Sequence, residues 1–123
     1  MVVLDTSAWI EYFLGSKKGA FAKGYVESDR EIFTPTICLA EIKLKYAQEK
    51  MQKQGEDRLK FIINRSVIVD LSKEIALLGA ENKLKHKLYL IDSVIYSTAQ
   101  VLGKDVLTSD ADLRGLPGVL FLN

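Results

Sequence analysis

The first ten residues, Met1-Val2-Val3-Leu4-Asp5-Thr6-Ser7-Ala8-Trp9-Ile10, decide the fold. Val2, Val3 and Leu4 form an unbroken apolar run, which suits a strand buried on both faces of a parallel sheet. Asp5 ends the run, and Thr6-Ser7 can cap a helix that continues to about Leu14. A short buried strand that passes through an acid into a helix is how a sheet with helical crossovers begins.

The same alternation continues outward. Strand-like runs occupy 1–5, 31–35, 67–70, 104–108 and 118–122. Lys17 to Glu27 has good helix formers, interrupted by Gly19 and Gly24. Thr36 can cap a long helix from 37 to about 53, with Gly55 as its breaker and a second arm over 56–65. Ser72 can cap 73–86, Gly103 stops 91–102, and Pro117-Gly118 marks a turn before the last strand. This order predicts an α/β protein: a three-layer α/β/α sandwich with a central, mostly parallel five-stranded sheet. The helices near 37–65 are the least sheet-like part and are expected to project as a hairpin.

Size and composition set the bounds. A chain of 123 residues fits one domain, 1–123, with a core that needs no staples. Apolar content of 48% with 27% charged residues is ordinary for a globular chain, and the net charge of +1 argues neither for nor against nucleic acid. Cys38 is alone, so no intramolecular disulfide forms and a reduced, cytoplasmic setting is expected. His86 is also alone, which argues against a Ser or Cys triad and against a zinc centre. No apolar run approaches a membrane span, and the N-terminus lacks a signal-peptide layout.

Against this ordinary background four acids stand out. Asp5 and Asp110 each follow a predicted strand and should emerge at the carboxyl edge of the sheet, where open α/β folds bind ligands. Asp92 opens an apolar helix after Leu90-Ile91, and Glu41 interrupts the stretch from Ile37 to Ile42. Each taken singly reads as a helix cap or a solvated side chain. Taken together, all fall at element ends that this topology can bring to one place. Close carboxylates repel, and several stay ionised together only with a countercharge. The acids either have private partners or share a hard divalent cation; oxygen ligands alone suit Mg²⁺ or Mn²⁺ and phosphoryl-transfer chemistry.

Four segments then carry a resemblance over nearly the whole chain. They are Val3 to Ile10, Thr36 to Ile42, Ile91-Asp92-Ser93 with the helix through Ala99, and Leu107 to Leu113 followed by Leu116-Pro117-Gly118-Val119. In order and spacing they resemble the PIN-domain ribonucleases, most closely the VapC-type toxins of toxin–antitoxin pairs. The resemblance implies a metal-dependent endoribonuclease that cleaves RNA phosphodiesters by metal-activated water. It implies catalytic, metal-holding roles for Asp5, Glu41, Asp92 and Asp110, with Asp112 as an outer-shell ligand or helix cap. Thr6 and Thr108 match its hydroxyl positions and would orient the carboxylates. It further implies a cognate antitoxin and a homodimer.

Other features divide between structure and function. Lys83 and Lys87 share a helix face; they read as solvated residues or as contacts to the RNA backbone. Arg114, just after the last motif, is the nearer candidate for a phosphate contact. Trp9, Tyr12 and Phe13 form an aromatic cluster that reads as core, or as one wall of an antitoxin groove. Ile91, Ile95, Tyr96 and Ala99 form a stripe for the core or a dimer contact. Two rivals were weighed against the toxin reading. One is a PIN nuclease of RNA processing without an antitoxin. The other is a noncatalytic receiver-like module sensing phosphate or metal, which needs an early acid pair and a late strand-end Lys that are not evident here. A dehalogenase-type phosphatase would need Asp-x-Asp, and Asp5-Thr6-Ser7 lacks the second Asp.

Overall fold

The computed structural model describes residues 1–123. Its elements are β1 (Val2–Leu4), α1 (Thr6–Leu14), α2 (Lys17–Val26), β2 (Ile32–Pro35), α3 (Thr36–Gln48), α4 (Gln52–Arg65), β3 (Val67–Val69), α5 (Lys73–His86), α6 (Leu90–Leu102), β4 (Asp105–Thr108) and β5 (Val119–Phe121), with a 3₁₀ turn at Ala111–Leu113. The five strands run in the order β3-β2-β1-β4-β5, and every pairing is parallel. The sheet is therefore wholly rather than mostly parallel, as helical crossovers between all strands require.

β1 lies in the centre, and its pleat divides the molecule into two cores. Val2 and Leu4 join a cluster with Ala8, Trp9, Ala22, Ile42, Tyr46, Ile62 and Leu107. Val3 faces the other way, into Cys38, Leu88, Ile95, Tyr96, Ala99, Val106 and Leu113. Trp9 is fully buried, and its indole N–H donates to Thr34 Oγ1 at 3.0 Å, so the ring carries no unpaired polar group into the core. Removing such a ring from water is worth roughly 4–6 kcal/mol before entropy is counted.

Three local expectations are corrected. Asp5, not Thr6 or Ser7, is the N-cap of α1: it is extended (φ −84°, ψ 179°) and accepts from Ala8 N. α3 has no side-chain cap. Pro35 occupies the N-cap position, and Thr36 is already helical, its hydroxyl donating to Val69 O at 3.4 Å. Gly55 does not break the long helix. The break comes at Glu49–Met51, where Lys50 takes a positive φ of 57°, and Gly55 lies inside α4 against Tyr46. A Cβ there would sit 2.7 Å from Tyr46 Cβ, so the missing side chain is what lets the two helices close up. The base of the α3–α4 hairpin is tied into the first core through Ile42, Tyr46 and Ile62, while its tip, 47–53, is exposed.

Arg65, at the end of α4, fixes the approach to β2. Its guanidinium and Nε donate to the carbonyls of Val26, Tyr25, Ser28 and Arg30 at 2.6–3.1 Å. Those carbonyls lie at and beyond the end of α2, where backbone acceptors have no helical partner.

Candidate metal centre

Parallel strands end at one edge, so the residues after β1, β2 and β4 meet there. Asp5 follows β1 directly and is only 4% exposed. Its Oδ1 accepts from Ser7 Oγ (2.7 Å) and Ala8 N (2.9 Å), and its Oδ2 accepts from Thr108 Oγ1 (2.5 Å). Ser7 Oγ in turn accepts from Ser109 N, and Thr108 Oγ1 from Asp110 N, each at 2.9 Å. A hydroxyl has one proton. Both are spent on Asp5, so the 3.2 Å approach of Ser7 to Thr108 adds no further bond. Burial pushes the Asp5 carboxyl up to about 6; the bonds from Thr108, Ala8 and Ser7 pull against it, and the charge of Asp110 adds to the rise.

Glu41 stands in α3 and is oriented from α1, where Thr6 Oγ1 donates to its Oε1 at 2.6 Å. Asp110 caps the 3₁₀ turn by accepting from Asp112 N at 2.9 Å. Asp92, in the first turn of α6, is half-buried, and its carboxyl is pushed up to about 7. Burial is the largest cause, followed by the charges of Asp110, Glu41, Asp112 and Asp5. All four other acids therefore bear on Asp92. The carboxylate oxygens of Asp92, Asp110 and Asp112 lie within 4.8 Å of one another. Asp112, expected as an outer-shell ligand or helix cap, is exposed and brings a carboxylate oxygen into this group.

Hydrogen-bond donors hold Asp5, Glu41 and Asp110, but no Lys or Arg forms an ion pair with any of these acids. The chain's ion pairs, Lys23–Glu27, Lys45–Glu49 and Lys53–Asp57, all lie elsewhere. What remains is an all-oxygen donor set whose negative charge no protein cation offsets. Its chemistry fits a hard divalent ion and offers no nitrogen or sulfur that zinc would favour. Cys38 is buried, and burial pushes its thiol up, so it stays a neutral core residue.

The remaining candidates are placed as follows. Lys83 Nζ donates to Leu88 O at 2.9 Å and braces the turn after α5. Lys87 lines a depression next to Asp112. The Arg114 guanidinium stacks over Phe121, 4.9 Å from the ring centre. Trp9 is interior, as the core reading has it, and forms no groove wall; Tyr12 and Phe13 are partly exposed, and Phe13 lines a groove with Ile10, Leu14, Met51 and Arg58. The α6 stripe is likewise spent inside: Ile95, Tyr96 and Ala99 are buried, and of the four only Ile91 is exposed. Ser7 was missed in the sequence. The signal was present, because a hydroxyl two residues after an N-cap Asp can reach back to its carboxylate.

A family model described as PIN domain matches residues 2–119. Among solved structures, a toxin–antitoxin complex from Klebsiella pneumoniae superposes with a TM-score of 0.81 at 22% identity, covering 100% of this chain and 98% of the other. VapBC2 from Rickettsia felis, bound to a DNA fragment from the promoter, gives 0.78 at 17% identity, over 98% and 97% of the two chains. VapC20 from Mycobacterium tuberculosis, described as a sarcin–ricin loop cleaving toxin, gives 0.73 at 12% identity, over 93% and 92%. At these identities the likeness is one of fold. A sequence comparison with curated proteins finds no match.

Proposed function

This chain belongs to the PIN domain family, and on that premise we propose that it is a divalent-metal-dependent endoribonuclease, the toxin of a toxin–antitoxin pair. The observation that carries the reading is the carboxylate group itself: oxygens of Asp92, Asp110 and Asp112 lie within 4.8 Å of one another, and no Lys or Arg pairs with any of them. Asp92, Asp110 and Asp112 would hold the ion, with Glu41 and Asp5 completing the negative shell. When bound, Mg²⁺ or Mn²⁺ would offset this charge and supply a Lewis acid for phosphodiester hydrolysis. Thr6 sets the rotamer of Glu41, while Ser7 and Thr108 keep the Asp5 carboxylate aimed at the edge of the sheet. Such positioning before substrate arrives is what electrostatic stabilisation of a phosphoryl transition state requires.

The partner reading draws on the likeness to toxin–antitoxin complexes. The antitoxin lies in the groove lined by Ile10, Phe13 and Leu14. A homodimer in the cytoplasm completes the proposal; Leu77 and Leu84 of α5, 70% and 82% exposed, are among the apolar residues it would cover.

The test is incubation of total RNA with the purified protein in Mg²⁺, Mn²⁺ or EDTA, with sequencing of the cut ends. Defined cuts are expected with metal only, and none from a folded Asp92→Asn variant. Cuts that persist in EDTA, or in that variant, reject the assignment.

A further inference from the structure

A depression of about 430 Å³ opens beside the acidic centre, lined by Lys83, Lys87, Leu88, Tyr89 and Asp112. Asp112 belongs both to this depression and to the carboxylate group, so the two are continuous. Tyr89 stands three residues before Asp92, at the N-cap position of α6, and its side chain contributes nothing to the core: the residue is 74% exposed. Lys87 takes part in none of the chain's ion pairs.

The turn that carries them is held in place. Lys87 adopts the left-handed conformation at φ 56° and closes α5. Leu88 is 3% exposed and anchored in the second core, and its carbonyl accepts from Lys83 Nζ. An aromatic ring and an ammonium are thus displayed at the mouth of the acidic centre on an anchored segment, whose backbone needs no ordering on binding.

We propose that this depression is a subsite for one unpaired nucleotide of an RNA strand next to the acidic centre. Tyr89 stacks on the base and Lys87 holds its phosphate. The inference rests on the nuclease reading above. Stacking needs an exposed base face, so the subsite favours single-stranded over paired RNA.

The probes are a labelled oligoadenylate decamer and its duplex with oligouridylate, bound in Mg²⁺ to a cleavage-dead Asp92→Asn parent and followed by fluorescence anisotropy. Tyr89→Leu on that parent is expected to weaken decamer binding about tenfold, with the melting midpoint and duplex binding unchanged. Tyr89→Trp restores the decamer affinity. Lys87→Gln lowers the slope of log K against log salt by about 0.7. Decamer binding by Tyr89→Leu equal to the parent's overturns the subsite. So does an equal loss for decamer and duplex, or a change confined to self-association in sedimentation. If the wild-type chain cuts RNA while Tyr89→Leu binds like its parent, only the subsite falls. If the wild-type chain cuts no RNA, the nuclease reading falls and the subsite with it.

Discussion

Asp5 is a buried acid held by three donors, and that arrangement separates its two demands. Burial favours the neutral carboxyl, whereas three donated bonds favour the anion and fix where it points. Removing one donor tests the balance. Ser7→Ala is expected to cost about 1 kcal/mol of stability and to reduce RNA cleavage at least tenfold, because Asp5 swings free of one tether. Denaturant unfolding beside a cleavage time course measures both. The pH dependence follows from the raised groups. Asp5 and Asp92 hold their protons up to about 6 and about 7 when folded, against 3.8 as the ordinary value. The folded state then binds more protons than the unfolded one between these limits. Metal-free stability therefore falls as pH rises from about 4 to about 7. Asp92→Asn flattens the upper part of that slope, and thermal melts across this range in EDTA check it.

At the scale of elements, the misreadings share a cause. Gly55 reads as a helix breaker by propensity, yet it is a contact point, because Tyr46 occupies the space a Cβ would need. The real break at Lys50 carries no Gly or Pro to announce it. Gly55→Val is expected to destabilise by about 1–3 kcal/mol through overpacking, read as a lower melting temperature with the metal response intact. Apolar runs, by contrast, identified all five strands: the central three are largely buried, and the edge strands β3 and β5, though partly exposed, are apolar throughout. The acids were legible for a related reason: Asp5 and Asp110 interrupt or follow such runs. The environment of Trp9 was not legible. Whether an aromatic at i, i+3, i+4 spacing faces a core or a partner depends on the elements laid over it, and Thr34 and α4 arrive from distant sequence.

For the whole molecule, folding itself creates the carboxylate repulsion, so a divalent ion should bind the folded state far better than the unfolded one. Mg²⁺ or Mn²⁺ at a hundred times its dissociation constant is expected to add about 2.7 kcal/mol. Asp110→Asn should abolish most of that gain while raising the metal-free melting temperature; an unchanged metal response in scanning calorimetry would assign Asp110 a purely structural role. The strand order has a further consequence, for synthesis. β1 lies at the centre of the sheet but at the start of the chain, and its neighbour β4 lies near the end. Thr108, which holds Asp5, is 103 residues downstream of it. A growing chain therefore cannot assemble its acidic centre until almost the last strand has left the ribosome; on the proposed nuclease reading, the ribosome making it is spared its product until translation is nearly done.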